Sequence, residues 1–151
     1  MKLLRFCGVG FAFGLIATVA LGAEWQTDYD QALATAKSAK KYVLLDFTGS
    51  DWCGPCIEMK KVVFSKPAFL NYAQKNLILV EIDFPMRKKL PEKITKQNEH
   101  LLHQYGVDNG GFPTVVLLSP DGKLLGQLEG YAGEQPADII AWIEKLQKKG
   151  P

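Results

Sequence analysis

The chain has 151 residues, 47% of them hydrophobic and 23% charged, which is enough for one domain with a real buried core. That composition excludes a collagen-like repeat, low-complexity disorder and a multi-span membrane protein. The formal net charge is only +2, and beyond residue 23 the acidic and basic residues balance, so no nucleic-acid partner is implied.

Lys2 and Arg5 open the chain, and Phe6 to Ala20 is an uncharged, mostly apolar run that ends near the small residues Gly22 and Ala23. This is the pattern of a secretory signal over residues 1–23, with a mature domain at 24–151 that is periplasmic or secreted. An uncleaved membrane anchor is the alternative. The stretch from Phe6 to Ala23 is short for a span of about 20 residues and contains Gly8, Gly10, Gly14 and Gly22. Cys7 precedes the apolar stretch, where a lipoprotein signal would place its cysteine after it.

Thr27 or Asp28 can cap a helix that runs to about Lys40, with Tyr29, Leu33, Ala36 and Ala39 on its apolar side. Tyr42 to Phe47 is nearly continuous apolar, as in a strand buried on both faces. A helix is expected from near Cys53 through Met59 and Val62. Ser65 and Pro67 mark a restart that carries Phe69, Leu70, Tyr72 and Ala73. Leu77 to Asp83 reads as the next buried strand. Residues 85–95 read as an irregular basic loop broken by Pro85 and Pro91, and Lys96 to Tyr105 as a helix. Thr114 to Ser119 is a third strand. The Ser119-Pro120-Asp121-Gly122 turn returns it antiparallel over Lys123 to Glu129. Pro136 opens a last helix with Ile139, Ile140, Ile143 and Leu146 as its stripe. This order predicts an α/β fold, a mixed central sheet with helices on both faces. Its sites belong at the C-terminal ends of the parallel strands.

The mature segment holds two cysteines, Cys53 and Cys56. A pair so close in sequence closes too small a loop to be a useful staple, so reversible chemistry is the better use. Cys53 falls where a strand gives way to a helix, and helix N-terminal N–H groups favour its thiolate. Cys56 lies about one turn on, placed to resolve a mixed disulfide. Pro55 suits a first helical turn, and Trp52 offers an apolar rim. The competing reading is a metal site, with His100 and His103 completing four ligands. Their spacing is tighter than usual for zinc, and a solvated helix face accounts for both histidines.

Trp52-Cys53-Gly54-Pro55-Cys56 after a strand ending Asp46-Phe47, with Phe112-Pro113-Thr114 before the third strand, resembles the thioredoxin superfamily. The export pattern and the run Val63-Phe64-Ser65-Lys66-Pro67 are similar to secreted thioredoxin-like domains, such as the C-terminal domain of the periplasmic thiol:disulfide interchange transporter. The resemblance implies a thioredoxin-like fold, with Cys53 as nucleophile and Cys56 as resolving thiol. It implies a cis bond before Pro113, and a substrate groove lined by Trp52, Gly54, Pro55, Phe112 and Gly130. Phe112 could also be plain core. Asp46 is the candidate for the family's buried acid, which relays the proton that Cys56 loses; a solvated strand-end acid is the alternative.

Three departures stand out. Asp46 lies seven residues before Cys53, one more than in the common pattern. Leu79 stands where that pattern has a lysine paired with the acid. Residues 85–95 are an insertion, and Arg87, Lys88, Lys89 and Lys93 read as a solvated loop rather than a docking patch. The implied function is an exported thiol–disulfide oxidoreductase that reduces extracytoplasmic proteins. It would be a monomer with no cofactor beyond the Cys53–Cys56 pair, recharged by a membrane electron donor. An oxidase or isomerase, a copper- or zinc-binding module and a docking module without turnover are the alternatives.

Overall fold

Asp28 sits in extended backbone and its carboxylate accepts the Gln31 N–H at 3.1 Å, so the first helix begins at the following residue. The computed structural model describes residues 23–150. The signal-peptide reading of residues 1–23 falls almost wholly outside them. Among the described residues, no helix is long and apolar enough to cross a membrane.

In chain order the elements are β1 (Trp25–Gln26), α1 (Tyr29–Ala39), β2 (Tyr42–Thr48), α2 (Gly54–Met59), α3 (Pro67–Asn76), β3 (Leu77–Asp83), α4 (Glu92–Gln104), β4 (Thr114–Leu118), β5 (Leu124–Glu129) and α5 (Pro136–Lys149). α2 runs on into a π-helical turn at Lys60–Phe64, and a 3-10 turn at Val107–Asn109 follows α4. The five strands form one mixed sheet in the order β1-β3-β2-β4-β5. β3 runs parallel to β1 and β2, whereas β4 is antiparallel to both β2 and β5. β2 is therefore central, and it delivers the chain to Cys53.

Side chains alternate between the two faces of a strand. Val43, Leu45 and Phe47 join Ile78, Val80, Ile82, Val116 and Leu118 under α1 and α4. Leu44, Leu77, Leu79, Val115 and Leu117 face Met59, Val63, Phe69, Ile139 and Ile143, from the α2 to α3 stretch and α5. Both faces are covered, which explains the near-continuous apolar strands. The same alternation turns Asp46, Thr48, Glu81 and Asp83 toward the α2 side.

Three elements depart from the sequence reading. β1 pairs Trp25 with Leu79 and Gln26 with Val80, a contact with no local signal. α4 begins at Glu92 rather than Lys96. Pro91 opens the helix instead of breaking it, and its carbonyl accepts the N–H groups of Ile94 and Thr95. The irregular loop therefore shortens to residues 84–91. The helix after Cys53 also widens at Lys60 instead of continuing as a regular α-helix.

Candidate active site

β2 ends at Thr48, and Gly49 turns the chain. The Gly49 carbonyl accepts the N–H of Trp52 at 3.2 Å and of Cys53 at 2.9 Å. Cys53 then caps α2, with its Sγ accepting the Cys56 N–H at 3.3 Å. Cys53 and Cys56 are disulfide-bonded, with Cα atoms 5.3 Å apart. Both are buried, while Gly54 and Pro55 between them are exposed. In the reduced state the same cap hydrogen bond and the first-turn N–H groups would favour an anionic sulfur at Cys53.

An aromatic rim adjoins the pair. The Trp52 indole N–H donates to the Phe84 carbonyl at 2.7 Å. The Trp52 ring lies edge-on to Phe112 at 6.0 Å, and Phe112 stacks on Phe84 at 5.2 Å. Phe112 is half-buried and also packs on the α1–α4 core, so it is both rim and core. The Phe112–Pro113 bond is cis. The Gly130 N–H donates to the Pro113 carbonyl at 2.8 Å, with Gly130 at φ +75°, a conformation suited to glycine. Phe84 has no motif to mark it, and the sequence reading misses it.

The indole lies so close over Gly49 that a methyl group there would overlap it. Gly49→Ala is expected to destabilise the protein by about 1–3 kcal/mol, the usual cost of overpacking. It should also free the indole from Phe84, read as lost near-ultraviolet dichroism. An unchanged spectrum would contradict this placement.

Asp46 is buried at 5% exposure, so the solvated strand-end alternative is corrected. Its Oδ1 has no hydrogen-bond partner among the described residues. Across the parallel register it faces Glu81, whose Oε2 is 2.6 Å from the Lys60 Nζ. Burial above all, then the negative charges of Glu81 and Asp83, pushes the Asp46 carboxyl up to about 7, with Lys60 opposing. The cation missing at Leu79 is thus partly replaced by Lys60, from the widened end of the helix. A cavity of about 320 Å³ on this side is lined by Thr48, Ser50, Cys56, Ile57, Lys60 and Ser65, among others. No hydrogen bond joins Asp46 to Cys56.

Among the described residues, no group of three or more His, Cys, Asp and Glu is placed to hold a metal ion. His103 Nδ1 lies 3.0 Å from Asp108 Oδ2, and His100 is exposed on α4.

Residues 29–147 match the thioredoxin-like domain family. The chain is 34% identical over 128 residues to the disulfide bond reductase DsbH of Chlamydia pneumoniae, covering 85% of this chain and 73% of that protein. It is 43% identical over 119 residues to the thiol:disulfide interchange protein DsbD of Vibrio vulnificus, covering 79% of this chain but only 18% of that longer protein. Among solved structures, a DsbH oxidoreductase superposes with a TM-score of 0.76 at 31% identity, over 93% of this chain and 95% of the other. The reduced C-terminal domain of Neisseria meningitidis DsbD gives a TM-score of 0.56 at 25% identity, over 79% of this chain and 96% of that domain. The chain belongs to the thioredoxin-like family, and with its Cys53–Cys56 pair it stands close to the thiol–disulfide oxidoreductases of the Dsb type.

Proposed function

We propose that this protein reduces disulfides of extracytoplasmic proteins. The carrying observation is the Cys53 sulfur at the cap of α2, hydrogen-bonded to the Cys56 N–H beside the exposed Trp52 and the half-buried Phe112. In this reading the Cys53 thiolate attacks one sulfur of a substrate disulfide, and the other substrate sulfur leaves and takes a proton. The Cys56 thiolate then attacks the Cys53 sulfur and releases the substrate's second thiol. Two electrons pass to substrate, and the Cys53–Cys56 disulfide described above is the product state. Asp46, buried on the same side of the sheet with its pKa raised to about 7, takes the proton that Cys56 gives up. Gly54 and Pro55 between the cysteines, and a relative named as a disulfide bond reductase, favour the reducing direction. A membrane dithiol donor recharges the pair, the chain is exported, and it acts as a monomer.

Equilibration with glutathione tests the direction. A reduction potential below about −200 mV, toward the roughly −270 mV of thioredoxin, is expected. A value near about −120 mV, that of a strong oxidant, would overturn the reductase reading.

A further inference from the structure

Two departures from the common thioredoxin pattern meet in the folded protein. One is the longer loop ahead of Cys53; the other is the insertion after β3, residues 84–91. The Asp51 carboxylate accepts the backbone N–H groups of Met86 at 2.9 Å and Arg87 at 2.8 Å. Those backbone donors hold Asp51 below the usual carboxylate range. Asp83, at the end of β3, accepts the Ser50 N–H at 2.9 Å, the Ser50 hydroxyl at 2.7 Å and the Lys88 amine at 2.8 Å. With the Trp52 bond to Phe84, the insertion is held at several points against the residues that lead into Cys53. The basic side chains of this loop are exposed, as the sequence reading expects, while its backbone is anchored.

The face that this arrangement presents is both apolar and basic. Met86 is 75% exposed, Ile57 47% and Trp52 41%; together with Leu124 these are the exposed large hydrophobic residues among those described. Of these, Trp52 adjoins Cys53 in sequence and Met86 is held to Asp51 by its backbone N–H, so the two lie together beside the reactive centre, where exposed apolar groups mark a contact surface. Lys88 is paired with Asp83, and Lys93 with Asp28. Arg87 and Lys89 close no ion pair among the described residues. Asp51 lies near Arg87, but two backbone N–H groups already engage its carboxylate. Behind the loop is a cavity of about 380 Å³, lined by Phe84, Lys88, Lys89, Leu90 and Asn98. Asp83 also lines it, with its oxygens taken by Ser50 and Lys88.

We propose that residues 84–91 form a docking wall for the substrate polypeptide. It receives an extended segment with an apolar residue beside the cysteine, against Met86 and Trp52, and acidic side chains flanking it, against Arg87 and Lys89. This deepens the reductase reading and rests on it.

The test uses the reduced protein in single turnover on three synthetic peptides. Each has one cysteine beside a leucine, in mixed disulfide with 2-mercaptoethanol, and is flanked by glutamates, glutamines or lysines. The dithiol supplies both electrons, the Cys53–Cys56 disulfide forms, and peptide thiol and 2-mercaptoethanol are released. At low salt the glutamate peptide is expected to react about fivefold faster than the glutamine peptide, the scale of an exposed ion pair, and the lysine peptide slower than both. At about 1 M salt, where the Debye length is about 3 Å, the three rates should converge. The double variant Arg87→Glu, Lys89→Glu should invert the order. Equal rates for the three peptides at low salt, or a glutamate preference that survives the charge reversal, would overturn the docking wall and leave the reductase reading standing. Failure to reduce any of the three would overturn the reductase reading itself, and the wall with it.

Discussion

Asp46→Asn is expected to stabilise the oxidised protein by up to about 4 kcal/mol at pH 8, and to leave its stability unchanged below about pH 4. In the unfolded chain this carboxyl ionises near its ordinary value of 3.8, whereas in the folded protein it holds its proton up to about 7. Between those values the folded state binds the extra proton. The wild-type protein therefore loses stability as pH rises through that window, and above about 7 the full penalty of a buried charge is present. Asparagine carries no charge to ionise and removes the penalty. Lys60→Met should widen the window upward by removing the opposing cation, and Glu81→Gln should narrow it by removing a like charge. Urea unfolding across the pH range measures all three. A difference between Asp46→Asn and wild type that does not change with pH would refute the assignment of the buried proton.

Cys53→Ser should lower the rate of protein disulfide reduction by at least about 1,000-fold, because a serine hydroxyl is a far weaker nucleophile at neutral pH. Cys56→Ser should behave differently. The first attack survives, but no second thiol releases the substrate, so a covalent mixed disulfide accumulates and turnover stops. Insulin reduction measured by turbidity follows the first loss, and intact-mass measurement under non-reducing conditions detects the trapped adduct. A Cys53→Ser protein that keeps a tenth of wild-type activity, or a Cys56→Ser protein that turns over without an adduct, would show that the roles are not divided in this way.

The sheet was legible because both of its faces are covered. β2, β3 and β4 must then be apolar at nearly every position, a pattern that needs no knowledge of partners. β1 was not legible, since two residues carry no period and Trp25–Gln26 is a strand only because Leu79 and Val80 lie alongside. Pro91 misled for a related reason. A proline stops a helix from one side and starts it from the other, and the hydrogen bonds to its carbonyl decide which. In the site, Cys53 and Cys56 announced themselves by spacing. The companions of Asp46 did not, because Glu81 reaches it by strand register and Lys60 meets Glu81 across 21 positions of sequence. The hold of Asp51 on Met86 and Arg87 spans 35 and 36 positions, and nothing local distinguishes that aspartate from a solvated one.

That hold has an entropic consequence. Freezing a backbone residue costs about 1–2 kcal/mol. For the stretch around Met86 and Arg87 the loss is incurred during folding, when Asp51 gathers their amides. A visiting polypeptide meets a surface already immobilised, so less of its contact energy is lost to ordering the host and more is left to discriminate among guests.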